Sequence, residues 1–342
     1  MNALPHIQLQ QHLTPQRIIQ MGWAFVLPLA IESAVRYHFF DVLDGKSLTL
    51  TQVCKQTHCS ERGAVAVMDL LVSVELLSKD KDGKYTLTPE SATFLVSGKP
   101  SFHGGFFRHL SQNLMPSFLQ LDSAVRTGIP VRSVDDKAEG ESFFKSFVED
   151  LMPMNFPAAQ AVARELLAHR QVETTRILDL AAGSGVWGVT ISDAFPKATL
   201  TAVDLPAVLE VTRSVVQRFN LDGRYTDIAG DLLEVDFGRG YSVAILGHIL
   251  HSEGEERGRR LLSNTYSAME RGGTIVIPEF LLDDDRTTPT HSAIFNVNML
   301  VNTSHGRSFT LGELREWLEE LGFRNIRTLE VPAPSPVILA EK

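Results

Sequence analysis

The chain has 342 residues, 44% of them hydrophobic and 21% charged, with a formal net charge of −9. That length accommodates two domains with substantial cores. The negative balance argues against a broad nucleic-acid or anionic-membrane footprint. Cys54 and Cys59 are the only cysteines; they fit neither zinc-ligand spacing nor a disulfide framework. They read as reduced thiols of a cytoplasmic protein. The first residues lack the basic start and apolar core of a signal peptide. No apolar run is expected to reach membrane-spanning length, because the stretch from Trp23 to Ala34 is interrupted by Pro28 and Glu32.

In chain order, residues 14–43 read as one helix, with Pro15 at its first position. Helical segments follow at 47–57 and 60–77, then a polar turn at 79–84 and a strand at 85–88. Helix, helix and charged hairpin form the pattern of a winged-helix module, whose obvious role is DNA binding. The candidate recognition helix, however, sets Arg62 against Glu61, Asp69 and Glu75, and its other face (Val65, Val67, Met68, Leu70, Leu71, Val72) is apolar. A groove-reading helix needs outward Arg, Lys, Asn or Gln. Residues 1–100 therefore read as a winged-helix-like packing or dimerisation domain.

Residues 101–170 read as a helical linker contributing to an acceptor pocket, broken near Gly128-Ile-Pro130 and across the polar stretch 133–141. Residues 143–168 form one apolar-periodic segment. Met152, Met154 and Phe156 within it either fill core gaps or line an adaptable pocket.

From 171 to 342 the period changes to strands alternating with helices. Strand signals fall at 176–180, 199–203, 225–229, 242–246, 274–279, 324–330 and 336–340. The last two are joined by only five residues, too few for a helical crossover, so that pair must be antiparallel. The expected fold is α/β, a seven-stranded, mostly parallel sheet with a reversed last strand. Ser252-x-x-Glu255 and Thr310-x-x-Glu313 read as capping boxes, and Gly322 as a helix terminator.

The chemistry gathers at the strand ends, where open α/β sheets bind ligands. Ile177-Leu-Asp-Leu-Ala-Ala-Gly-Ser-Gly185 is an apolar run ending in an acid and opening into a glycine turn, and Asp204 follows 21 residues after Gly183. Glycines there let a ligand approach the backbone. An acid on the next strand can accept from both ribose hydroxyls. Gly183-x-Gly185-x-x-Gly188 also matches the dinucleotide fingerprint. Asp179 favours the other cofactor class, since a carboxylate there suits the positively charged S-adenosylmethionine and does nothing for a pyrophosphate. Leu205 is placed to pack on an adenine, Asp231 to accept from its amino group, and Leu232 and Gly247 complete the cofactor set.

Methyl transfer needs alignment, exclusion of water and removal of a proton from the nucleophile. His251, at the mouth of the fourth strand, is the candidate base. His248 lies one turn earlier. Glu279, ending the fifth strand, either holds the imidazole tautomer or is a solvated strand-end acid. His291, Phe295, Asn298, Met299 and Asn302 share one helical face that lines an acceptor pocket or packs in the core. Asp283-Asp-Asp285 reads as a solvated loop, and no metal site is expected.

These residues resemble the S-adenosylmethionine-dependent small-molecule O-methyltransferases of the caffeate and hydroxyindole type, including their bacterial branch. The resemblance covers nearly the whole chain and rests on Leu178–Gly185, Ala202-Val-Asp-Leu-Pro206, Ala229-Gly-Asp-Leu232 and Ile249-Leu-His251. It implies a class I Rossmann-like methyltransferase domain behind a winged-helix dimerisation domain. It also implies a homodimer whose partner's N-terminal segment helps close each acceptor pocket. Transfer would be metal-independent, with His251 as base and S-adenosylhomocysteine as product. The chain departs from the family pattern in having Ser252-Glu253 in place of Asp-Trp, Gly247 in place of a polar or basic residue, and Ser308 near the usual second acid. The expected activity is methylation of a hydroxyl on a small aromatic or conjugated acceptor. Carbon methylation of the pigment-pathway type, an idle cofactor-binding dimer and a winged-helix regulator remain the alternatives.

Overall fold

The computed structural model describes residues 14–134, 140, 143–145, 147–169 and 175–342. Its contacts divide the chain into two units, Met1–Lys99 and Pro100–Lys342. The expected polar stretch 133–141 and the domain boundary at 170–171 fall largely outside the described residues.

In the first unit the single helix expected over 14–43 is three: α1 (Gln16–Trp23), α2 (Val26–Arg36) and α3 (Phe39–Leu43). Pro28 explains the first break. It has no N–H to donate to Ala24, so it is accommodated only in the first turn of a new helix. His38, at φ 60°, makes the second. The stretch Gln16–Arg36 is nevertheless long and apolar enough, by length and composition, to cross a membrane. That corrects the expectation that no apolar run has spanning length. Glu32 lies within it, accepting from Arg36 Nε at 2.8 Å.

The unit continues with β1 (Leu48–Thr49), α4 (Leu50–Thr57), α5 (Glu61–Ser73), β2 (Leu77–Lys79), β3 (Lys84–Leu87) and α6 (Pro89–Phe94). The strands pair antiparallel in the order β1-β3-β2. The would-be recognition helix α5 buries Ala64, Met68 and Leu71, in keeping with its apolar face. By contrast α1 buries nothing, and Ile18, Ile19, Met21 and Trp23 stay more than half exposed.

The second unit opens with α7 (Gly104–His109), a π turn (Leu110–Leu114), α8 (Met115–Phe118) and α9 (Leu121–Thr127), the last ended by Gly128 at φ 68°. Of the segment expected to be helical from 143, residues 143–145 are helical, 147–151 form turns, and α10 runs Met152–His169. A seven-stranded sheet follows: β4 (Arg176–Leu180), β5 (Thr199–Asp204), β6 (Tyr225–Ala229), β7 (Tyr241–Leu246), β8 (Met269–Pro278), β9 (Arg324–Leu329) and β10 (Val337–Glu341). Its order is β6-β5-β4-β7-β8-β10-β9, and β10 runs antiparallel to both neighbours.

Alternate side chains feed two cores, as the period of two requires. Leu178, Leu180, Leu246, Ile275 and Ile277 face α13 (Leu250–Ala268) and α15 (Leu311–Leu321). Ile177, Leu200, Val243, Ile245 and Val276 face α10, α11 (Val186–Ala194) and α12 (Pro206–Arg218). The chain reverses its winding direction between β4 and β7. The crevice at their carboxyl ends is the topological switch point, where ligands bind in such sheets.

One of the two expected capping boxes forms. Thr310 accepts from Glu313 N at 3.1 Å while Glu313 Oε2 accepts from Thr310 N at 2.8 Å, starting α15, and Gly322 ends it at φ 99°. Ser252 does not cap. It lies inside the first turn of α13, and its hydroxyl donates back to Ile249 O at 3.0 Å. Removing the working cap by Thr310→Ala is expected to cost about 1 kcal/mol in denaturant unfolding; unchanged stability would contradict the cap's contribution.

Candidate active site

At the switch point β4 delivers Asp179, buried to 1% exposure. Its Oδ2 accepts from Gly188 N at 2.9 Å. A Cβ on Gly188 would lie 2.7 Å from that oxygen and 2.6 Å from Leu200 Cδ1. The third glycine of the run is therefore there to let α11 close onto the sheet. Burial pushes the Asp179 carboxyl up to about 8; the Gly188 hydrogen bond opposes this and the neighbouring Asp204 adds to it.

Asp204, ending β5, binds the glycine loop. Its Oδ2 accepts from Gly183 N at 2.8 Å and its Oδ1 from Leu205 N at 2.7 Å. Burial raises this carboxyl to about 6 against the pull of those two backbone bonds. Gly183 and Gly185 both take positive φ, 58° and 77°, and a Cβ at Gly185 would meet Thr212 Cγ2 at 2.9 Å. Thr212 Oγ1 donates to Gly183 O at 2.7 Å. This pin from α12 has no sequence signature.

Asp231 follows β6 and accepts from Leu233 N at 2.8 Å. Arg257 Nη2 donates to both of its oxygens at 3.2 Å. Leu232, expected at the cofactor, is buried and belongs to the core that also holds α13 and α15 residues. Leu205 is half-buried at the start of α12. Gly247 leaves room for Trp187, whose Cδ1 a Cβ there would approach to 2.9 Å.

His251 and Glu279 come together at the ends of β7 and β8. His251 Nδ1 and Glu279 Oε1 are 2.6 Å apart, and His251 N donates to Glu279 Oε2 at 3.2 Å. Glu279 has no solvent exposure. Burial alone would raise its carboxyl, but the facing His251, their hydrogen bond, His248 and the Phe280 N–H outweigh burial and bring it below the usual value. An ionised carboxylate only accepts, so Nδ1 carries the proton and, in the neutral ring, Nε2 carries the lone pair.

His248, at φ 57°, is bonded through Nε2 to Ser335 Oγ at 2.8 Å. Burial is the main cause that lowers it to about 4. Phe280 and Phe295 stack at 4.1 Å, and Phe295 stands edge-on to His251 at 4.7 Å. Met299 is buried on the same helix as Phe295, α14 (Thr290–Asn302). Phe156 pairs instead with Phe219, and both Phe156 and Met152 pack on the core of α10, α11 and α12. Met154 is half-buried on α10.

The backbone of His251 is gripped from one further side. Arg307 N donates to His251 O at 2.8 Å. Gly254, at φ 71° and ψ −175°, breaks α13 just after the histidine turn, and its missing Cβ would lie 2.6 Å from His305 O.

The fold and this constellation define a class I methyltransferase. The O-methyltransferase domain family matches residues 133–324, and the O-methyltransferase dimerisation domain matches residues 20–97. The chain belongs to the O-methyltransferase family, and its activity is S-adenosylmethionine-dependent methyl transfer to oxygen. It is 28% identical over 309 residues to the 3-hydroxy-5-methyl-1-naphthoate 3-O-methyltransferase of Streptomyces sahachiroi, covering 89% of this chain and 88% of the relative. It is 27% identical to the tetracenomycin polyketide synthesis 8-O-methyl transferase TcmO of Streptomyces glaucescens, covering 96% and 97%. Among solved structures, PigF with S-adenosylhomocysteine superposes with a TM-score of 0.85 at 26% identity, covering 96% of this chain and all of that one. Human N-acetylserotonin methyltransferase shares the fold, with a TM-score of 0.82 at 22% identity and coverage of 97% and 99%.

Gly254→Ala is expected to lower unfolding free energy by about 1–3 kcal/mol, the usual cost of a strained backbone, and to reduce turnover through the displaced His251 turn. A variant with wild-type melting would contradict the close packing of Gly254 on His305.

Proposed function

We propose that this enzyme methylates a hydroxyl of a small aromatic or conjugated acceptor, with His251 as general base and Glu279 as its orienting carboxylate. The observation that carries the reading is the 2.6 Å contact between His251 Nδ1 and a carboxylate with no solvent exposure. A base held this way offers Nε2 to the acceptor hydroxyl, and the carboxylate stabilises the imidazolium that follows. The Phe280–Phe295 stack beside the histidine supports an aromatic acceptor, since flat rings pack well against such a face. The names of the two Streptomyces relatives, a naphthoate and a polyketide methyltransferase, support the same class.

The residues present fit the cofactor. Three carboxylates and a glycine cradle with no side chain at Gly183 or Gly185 suit a cationic nucleoside, and would repel a pyrophosphate. S-adenosylmethionine, when bound, supplies a methyl group on positively charged sulfur, open to in-line displacement. Asp179 would face its charged amino-acid portion, Asp204 the ribose hydroxyls, and Asp231 the adenine amino group. The glycine loop would lie along its backbone side, with Leu205 against the purine. Each Asp204 oxygen already takes one backbone N–H, so the ribose would use the remaining lone pairs. His248, Phe295 and Met299 would bound the acceptor. The dimerisation domain supports a homodimer, and the apolar face of α1 is available for it. We place this homodimer in the cytoplasm.

His251→Ala is expected to lower kcat at least 100-fold, the usual contribution of a general base, while leaving the affinity for S-adenosylhomocysteine within about threefold, the margin of a group outside the cofactor contacts. Lost cofactor affinity with unchanged turnover would overturn the assignment. A second expectation follows from Asp179, which is mostly protonated at pH 7 because burial raises it to about 8. A cation bound beside it favours the ionised form. Binding should therefore release a proton, with affinity rising from pH 6 to about 8 and then levelling. Calorimetry in buffers of different ionisation enthalpy measures this. Absence of proton release, or the same release from Asp179→Asn, would contradict the role.

A further inference from the structure

The helix that carries the catalytic histidine also carries a charge relay to the loop after β6. Glu253, two residues past His251, accepts from Arg257 Nε at 2.6 Å across one helical turn. Arg257 Nη2 then reaches both oxygens of Asp231 at 3.2 Å. Asp231 Oδ1 takes its other bond from Leu233 N, within its own loop. Glu253 is the more enclosed acid of the relay, at 14% side-chain exposure, with Asp231 at 29% and Arg257 at 43%. The carboxylate of Asp231 is thus oriented from two directions. Among the described residues, the Arg257 contact is the one that comes from another element.

We propose that Arg257, anchored by Glu253, is a positioning residue that aims the Asp231 carboxylate at the exocyclic amino group of the cofactor's purine and so selects adenine over 6-oxopurines. This rests on the reading of Asp231 given above. An ionised carboxylate only accepts hydrogen bonds. It rewards the 6-amino donor of adenine and repels the 6-oxo acceptor of hypoxanthine. A carboxylate on a flexible loop could rotate to avoid that repulsion. The guanidinium, held at its far side by Glu253, removes this freedom because a planar fork fixes geometry as well as charge. Glu253 stands where the family pattern has a tryptophan, so the relay uses one of the positions at which this chain departs from it. The same relay ties the nucleobase loop to the first turn of the His251 helix.

The test is calorimetric binding of S-adenosylhomocysteine and S-inosylhomocysteine to the full-length protein and three variants, with melting curves to show that each is folded. Wild type should prefer the adenosyl compound by roughly 10- to 100-fold, the span of one charge-assisted hydrogen bond. Asp231→Ala and Arg257→Ala should each bring the ratio within about threefold, and Glu253→Gln should lower it less, because the guanidinium stays charged. Retained discrimination in Arg257→Ala alongside its loss in Asp231→Ala would overturn the inference and leave the Asp231 reading standing. Equal weakening of both ligands by Arg257→Ala would also overturn it, since that is what a merely structural role produces. Discrimination unaffected by Asp231→Ala would sink the Asp231 reading and the inference with it.

Discussion

A carboxylate sealed from water has to find a partner or give up its charge, and the candidate active site is organised around one that found an imidazole. Burying Glu279 is unfavourable on its own. The cost is offset by His251 Nδ1 at 2.6 Å and by the His251 and Phe280 amides. Those contacts come from two adjacent strand ends, so the pair exists only when β7 and β8 are in register. The parallel pairing of Val243, Ala244 and Ile245 with Thr274, Ile275 and Val276 provides that register. Breaking one partner would leave an uncompensated buried charge, which is why such pairs tolerate substitution poorly.

The proposed cofactor side follows a related logic with the opposite outcome. Among the described residues Asp179 has a single backbone donor, a neighbouring acid and no counter-charge, and its carboxyl is driven upward at the place where the sheet reverses its winding. Asp204 spends part of its bonding capacity on holding the glycine loop, with Thr212 as a second pin from below. The loop is therefore held by the protein's own hydrogen bonds, and preorganisation of this kind reduces what binding must spend on ordering.

Much of this was legible in the chain because strand periodicity, glycine spacing and acids at strand ends are local signals. The seven strands, the reversed last one and the Thr310 cap follow from residues near one another in sequence, while the meeting of His251 with Glu279 is one of two readings that their strand-end positions allow. What escaped depends on side-chain direction. Ser252 has the residue types of a cap, yet the turn begins earlier at Ile249, so its hydroxyl folds back. Leu232 adjoins Asp231 but is buried in the core, because the chain turns at 232–234 straight after the acid. Phe156 lies on a helix whose inner face meets α12, which periodicity alone cannot distinguish from a pocket lining. Thr212, Trp187 and Arg257 act across elements far apart in sequence. Phe280, by contrast, adjoins Glu279 and could have been inferred from its place at the same strand end.

The central claim is that His251 presents an unprotonated Nε2 to the acceptor because Glu279 holds the proton on Nδ1. Nitrogen-15 NMR of histidine-labelled enzyme with S-adenosylhomocysteine bound, assigned by loss of the signal in His251→Gln, reads that tautomer directly. The account expects a pyrrole-type Nδ1 with a strongly hydrogen-bonded proton and a pyridine-type Nε2. A proton found on Nε2, with Nδ1 bare, would contradict it.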